Sequence, residues 1–279
     1  MPRKLVSAER PEDKSGVQYH IQCRPGDVAR YVLLPGDPGR VPLISSHWSS
    51  FREVARHREY VTHTGTLDGT PISCTSTGIG GPSAAIAVEE LLRVGADTFI
   101  RVGSTGALAS HVKIGDIIIT SGSVRMDGTS NQYVWPGYPA AAHYEVILAL
   151  IEAAESLDKR YHVGVTASTD SFYPGQGRPG FKGYMNEAAS HIVSDAKAAG
   201  ILNFEMEAAT ILTLAGIYGA RAGAVCAVLA SRDRNEFVAD AGIEDAVKVA
   251  NEAVRVLSSW DALKAKSGKE RFYPSLIGK

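Results

Sequence analysis

Gln176 and Arg178 sit two positions apart in the stretch DSFYPGQGRPG, Asp170 to Gly180. A glutamine amide offers one acceptor and two donors, and a guanidinium offers a rigid fork of donors. Three glycines and two prolines make this stretch a loop. Either the pair decorates a solvated turn, or it forms the polar edge of a slot whose flat wall is Phe172. Three other segments carry comparable chemistry. In LLPGDPGR, Gly36 lets backbone N–H groups approach an anion and Arg40 can reach back to it. In FIRVGSTGAL, Arg101 lies inside an apolar run. An unpaired charge there would cost several kcal/mol, roughly, so Arg101 needs a carboxylate or an anionic ligand. Ser104 and Thr105 follow with hydroxyls. In NFEMEAAT, Glu205 and Glu207 flank Met206. Acidic residues suit a helix N-terminus, and a carboxylate also accepts the two hydrogen bonds of a vicinal diol.

These segments need elements to hold them. YVLL (31–34), DTFIRVG, GDIIITSG, YHVGVTAST and RAGAVCAVLAS read as strands. EYVTHTGTL and PISCTST flank Asp68-Gly69 and read as a hairpin. GPSAAIAVEELLRVG has proline in its first turn and glycine after its last, a helix signature. PAAAHYEVILALIEAAESL, NEAASHIVSDAKAAG, EMEAATILTLAGIYG and AGIEDAVKVANEAVRVLSSWDAL also read as helices. Alternating strands and helices predict a single α/β domain over residues 1–279, with a sheet flanked by helices and a polar tail over about 1–16. Ligands in such sheets bind at the carboxyl ends of strands, where the chemistry-bearing segments fall.

Composition excludes other classes. The chain has 279 residues, 44% hydrophobic and 21% charged, so it can bury a large core. Its net charge of −1 gives no global field toward nucleic acid, so any anion site is local. No apolar run reaches membrane-spanning length, and the polar first residues do not read as a signal peptide. Cys23, Cys74 and Cys226 form no pair motif, which fits buried thiols in a cytoplasmic protein. TGIGGPS departs from the dinucleotide fingerprint at Ser83, and the histidines have no metal-ligand spacing. No catalytic transition metal is expected.

Taken together, PGDPGR, STGIGGPS, RVGSTGA, FYPGQGR and EMEAAT resemble the nucleoside phosphorylase-I family, in its order and at about its spacing. FYPGQGR is similar to the pyrimidine branch; STGIGGPS and EMEAAT mark the wider family. The resemblance implies a mixed sheet flanked by helices and reversible phosphorolysis, with uridine and phosphate giving uracil and ribose 1-phosphate. It implies a phosphate site at Gly36, Arg40, Arg101 and Ser104, with Arg58 lent by a neighbouring subunit. It implies a ribose site at Met206 and Glu207, with His20 from the neighbour. The base site it implies comprises Thr105, Gly106, Phe172, Gln176, Arg178, Leu229 and Ala230. Arg101, Gln176, Arg178 and Glu207 carry the catalytic expectation. No cofactor is required, because phosphate is a substrate. Some bacterial relatives hold a monovalent cation such as potassium, at positions matched by Glu59, Ile79 and Ser83. The expected assembly is a hexamer of two-fold dimers with shared sites. There are two departures: Ser104 stands where many relatives have threonine, which keeps the hydroxyl, and Arg232 stands where purine relatives carry an acid, with Asp233 adjacent, which bears on the base. Competing readings are a purine phosphorylase, a nucleosidase using water, and a non-catalytic binding or storage protein.

Overall fold

A computed structural model describes residues 5–277. The first strand, β1 (Tyr31–Pro35), is buried throughout and ends in the turn that starts α1 (Arg40–Ser45). Three antiparallel strands follow: β2 (Ser50–His57), β3 (Tyr60–Leu67) and β4 (Thr70–Thr75). The hairpin turn at Asp68-Gly69 has φ of 48° and 84°, as a two-residue turn with both φ positive requires. Next come α2 (Gly81–Arg93), β5 (Thr98–Ala107), β6 (Ile117–Met126), α3 (Gly128–Tyr133), β7 (Ala140–Ala141), α4 (Tyr144–Ser156) and β8 (Tyr161–Thr169). The last part comprises α5 (Glu187–Ala198), β9 (Asn203–Glu205), α6 (Ala208–Tyr218), β10 (Arg221–Ser231), β11 (Glu236–Phe237) and α7 (Ile243–Ser267).

The strands form one mixed sheet in the order β11-β10-β6-β8-β9-β5-β1-β4-β3-β2. β10 also pairs with β5 in parallel, so β5, β10, β6, β8 and β9 close into a ring. The sequence pattern says nothing of this closure, which depends on β9, three residues paired with both β5 and β8. One face packs against α4 and α7 through Val146, Leu150, Val247, Leu257 and Trp260. The other packs against α2 and α6 through Val88, Leu91, Ile211 and Leu214, around Phe99. The three cysteines are free and buried. Among the described residues no helix is long and apolar enough to cross a membrane.

Two expected helices start later than the sequence suggests. α4 begins at Tyr144, because His143 caps it and Ala140–Ala141 pair with β6. α6 begins at Ala208, because Asn203–Glu205 are drawn into the sheet. Residues 1–4 of the expected polar tail lie outside the described residues. From Val6 the tail folds back on itself, with a bridge between Glu12 and Gln18.

At the amino ends of β1, β5 and β10 a buried ionic network ties the sheet to α4 and α7. Arg221 bonds Glu145 at 2.8 Å and Asp261 at 2.7 Å, and Lys264 bonds the same two at 2.7 and 2.9 Å. Burial raises the Glu145 pKa, but Lys264, the Phe272 N–H and Arg221 outweigh it and hold it down to about 2. A depressed carboxylate stabilises the fold above its ordinary pKa and loses that contribution as pH falls through its folded value. We therefore expect Glu145→Gln to be less stable at pH 7 by roughly 2–3 kcal/mol, with the gap narrowing below pH 4.5. Urea midpoints of parent and variant between pH 7 and pH 3 check this; a gap that does not change with pH contradicts it.

Candidate active site

One cavity of about 670 Å³ collects the chemistry-bearing segments. Its lining comes from the turn after β1, the turn before α2, the end of β5, the β9–α6 junction, the loop after β8 and the end of β10. The segments picked by the rule that ligands sit at strand ends thus meet in one cavity, although Ser104, Thr105 and Gly106 lie within β5 rather than after it.

At the floor lies Arg101, 4% exposed. Its Nε donates to Glu205 Oε2 at 2.7 Å, and a terminal nitrogen meets Glu207 Oε2 at 2.5 Å. Burial opposes its charge, but Glu207 and Glu205 outweigh that and hold it firmly cationic. The internal ion pair left open by the sequence is thus present, and Arg101 lines the cavity as well. Gly103 makes room for this side chain. A Cβ there would stand 3.0 Å from Arg101 Cζ and 2.8 Å from Cys226 Sγ. Arg40 faces the same cavity and donates to the Val102 carbonyl at 3.2 Å. Burial, and then the Arg101 cation, push its pKa down. Two guanidinium groups that oppose each other in a half-dry site favour an anion between them. Gly36 and Ser104 line the cavity beside them.

Glu205 and Glu207 are not equivalent. Glu205 ends β9, and its Oε2 accepts the Glu207 and Ala208 N–H groups at 2.9 and 2.8 Å. It fulfils the helix-capping role expected of acidic residues here. Glu207 accepts the Gly80 N–H at 2.5 Å through Oε1. Gly80 can point its N–H that way because it sits at φ 92°, where only glycine is unstrained. Burial pushes the Glu207 carboxyl up against the pull of Arg101, and the Glu205 charge adds to the rise. Met206 lies between them on the cavity wall.

At the other end the Gln176–Arg178 loop is no solvated turn. Gln176 is 2% exposed. Arg178 donates to Gln176 Oε1 at 2.6 Å and to the Phe172 carbonyl at 2.8 Å, and its Cζ lies 3.9 Å over the Phe172 ring. Arg232 clamps the loop from below, donating to the carbonyls of Gln176 and Gly177 at 2.8 and 3.0 Å. Asp233 pairs with Lys197 at 2.7 Å, and neither it nor Arg232 lines the cavity. Leu229 and Ala230 are consecutive yet both line the cavity. A bulge between Val228 and Ala230 in the β10–β5 register permits this, as bulges beside sites do. Thr105 lines the wall, but its hydroxyl donates to the Phe204 carbonyl at 2.6 Å and accepts from Asn203 at 2.8 Å. It braces β9 rather than offering a free hydroxyl to a base.

Residues 30–259 match the family model described as phosphorylase superfamily. The chain is 62% identical to a uridine phosphorylase of Thermococcus kodakarensis, covering 100% of both chains. It is 41% identical to a uridine phosphorylase of Escherichia coli, over 86% of this chain and 97% of that one. It is also 43% identical to a guanosine phosphorylase of Halorubrum lacusprofundi, over 76% of this chain and 82% of that one. The chain belongs to the phosphorylase superfamily.

Within this superfamily member, His20 and Arg58 do not line their own chain's cavity. His20 pairs with Glu90 at 2.6 Å, and Arg58 is exposed on the β2–β3 turn at φ 54°. Glu59, Ile79 and Ser83 line the cavity rim. Sequence reasoning missed Phe237, which β11 brings to the mouth, and the clamping role of Arg232. No local pattern marks either, since a two-residue strand and a carbonyl-binding arginine leave no periodicity.

Removing Arg101 would strand two buried carboxylates. Arg101→Ala should therefore lose roughly 3–5 kcal/mol of stability at pH 7, as broken buried pairs do, and the loss should shrink toward pH 4 as Glu207 takes up a proton. Chemical denaturation at both pH values measures it. An equally stable variant at pH 7 would mean that the pairs contribute little.

Proposed function

We propose that the chain catalyses reversible phosphorolysis of a pyrimidine nucleoside, converting uridine and phosphate to uracil and ribose 1-phosphate. One observation carries this reading: buried Gln176 and half-buried Arg178 line the same cavity as Arg40 and Arg101. Uracil presents an acceptor, a donor and an acceptor: O2, N3–H and O4. Gln176 can accept from N3–H and donate to a neighbouring carbonyl, and Arg178 can donate to O4. Phosphate is assigned to Gly36, Arg40, Arg101 and Ser104, and the sugar hydroxyls to Glu207, with Met206 against the ring.

Phosphate attacks C1′ of the ribose as the bond from C1′ to N1 breaks. The bonding pair leaves with the base, and negative charge spreads over N1, O2 and O4. Donors fixed at that edge bind this charge more tightly than the neutral ground state. Positive charge grows on the sugar, and the phosphate dianion beside it is the counter-ion. No side-chain nucleophile enters. Identity alone does not choose the base, since uridine and guanosine phosphorylases are similarly close beyond the first relative. The loop supports uracil, together with Arg232 in place of an acid.

The reading includes a shared site. Three arginines and four carboxylates of the chain line the cavity, a poor balance for a dianion. A further cation from a neighbour, Arg58, corrects it, and His20 would reach the 5′-hydroxyl with it. Two-fold pairing, a hexamer of such pairs, a cytoplasmic setting and a monovalent cation such as potassium at Glu59, Ile79 and Ser83 belong to the same reading.

Turnover of uridine, thymidine, inosine and guanosine, each with and without phosphate, tests the function. Uridine turnover that requires phosphate is expected; phosphate-independent hydrolysis, or faster turnover of a purine nucleoside, overturns it. Gln176→Ala should lower uridine turnover roughly a hundredfold or more while the KM for phosphate holds. Arg58→Ala and Gln176→Ala, each nearly inactive, should regain activity when refolded together. Random two-fold pairing leaves roughly a quarter of the sites with neither lesion. A mixture that stays inactive although mixed dimers form rules out sharing through Arg58.

A further inference from the structure

The two carboxylates on Arg101 differ in freedom. Glu205 has a side chain with no exposure and is held from four sides: by Arg101 Nε, by the N–H groups of Glu207 and Ala208, and by the Ser168 hydroxyl. Ser168 is fixed in turn, accepting the Ala209 N–H at 2.8 Å and lying 2.9 Å from the Ser123 hydroxyl. β9 is pinned between β5 and β8 at this point, with Ser168 in register with Glu205. Glu207 meets the Gly80 N–H, the Met206 N–H and Arg101, but it lines the cavity, and its carboxylate has acceptor capacity left on that side. One carboxylate is therefore a fixed anchor, and the other is a ligand that the same arginine shares with the cavity.

We propose that Glu205 is a positioning residue that holds Arg101 so that Glu207 is free to bind the sugar diol. The proposal rests on the sugar-binding role given to Glu207 above. With Glu205 in place, Arg101 keeps a counter-ion when the diol engages Glu207. Its guanidinium stays spread over Gly103, with its remaining edge toward the phosphate end. Without the Glu205 charge, Glu207 becomes the only carboxylate on Arg101. The diol and the arginine then compete for it, and the hydroxyl contacts weaken as the transition state forms. A ribonucleoside, with two hydroxyls for Glu207, loses more than a 2′-deoxyribonucleoside, which has one. A plain helix cap at Glu205 would instead lower turnover of both substrates alike.

The test measures kcat/KM for uridine and 2′-deoxyuridine in the parent, Glu205→Gln and Glu207→Gln, after thermal melts and circular dichroism establish folding. In Glu205→Gln, uridine kcat/KM should fall roughly 10- to 100-fold, the scale of a charged hydrogen bond. The ratio of uridine to 2′-deoxyuridine should fall at least several-fold. A ratio equal to the parent's overturns the proposal. Glu207→Gln separates the two layers. If it too keeps the parent ratio, the sugar-binding role of Glu207 fails first; if it collapses the ratio while Glu205→Gln does not, only the role of Glu205 fails. Should Glu205→Gln not fold, Ser168→Ala loosens the same anchor from the side away from Arg101. It must shift the ratio in the same direction, by a smaller factor, and an unchanged ratio is again a refutation.

Discussion

A guanidinium buried within β5 needs counter-charge, and this requirement organises much of the rest. Arg101 finds that charge in Glu205 and Glu207, two positions apart across the β9–α6 junction. Reaching both requires β9 to pair with β5, which closes the ring of strands. It requires a glycine at 103 beneath the side chain and a glycine at 80 whose N–H turns toward Glu207. The outcome is a floor whose charges are fixed before any ligand arrives. Preorganised charge of this kind stabilises a developing ion without moving to meet it. The same interaction thus serves stability and chemistry, and a substitution at Arg101 cannot touch one without the other.

Much of this architecture is legible in the residues. The Asp68-Gly69 turn, the proline-to-glycine frame of α2 and the apolar runs of β1, β5, β8 and β10 follow from local chemistry. The strand-end segments fall on one cavity, as their placement implied. What the residues do not declare is non-local. NFEMEAAT is rich in helix formers, and only pairing with β5 and β8 makes Asn203–Glu205 a strand. Thr105 reads as a base-side hydroxyl until β9 arrives to take its hydrogen bond. The bulge at Leu229 leaves no mark on the apolar run that contains it. In each case a long-range contact overrides a local preference, and single-sequence periodicity has no access to such contacts.

The base loop poses the opposite electrostatic problem. The floor pairs unlike charges, whereas the loop holds two like ones close together. Arg178 and Arg232 both bind it, one at the Gln176 amide and one at its carbonyl. Burial, and then repulsion from Arg232, push the Arg178 pKa down to about 10. Asp233 does not relieve this, because it pairs with Lys197. Two poorly compensated cations are a cost in the empty site. In the proposed reaction that cost turns into rate. A neutral uracil edge would offer Arg178, which lines the cavity, only dipoles, whereas the departing base would carry a full negative charge toward it. Relief of the repulsion is then greatest in the transition state and absent from the ground state, which is the condition for lowering a barrier rather than merely tightening binding. An acid in place of Arg232 would neutralise Arg178 beforehand and forfeit that difference. The same acid could donate a proton to a base whose charge collects on a ring nitrogen, which is the alternative that the proposed reading sets against Arg232.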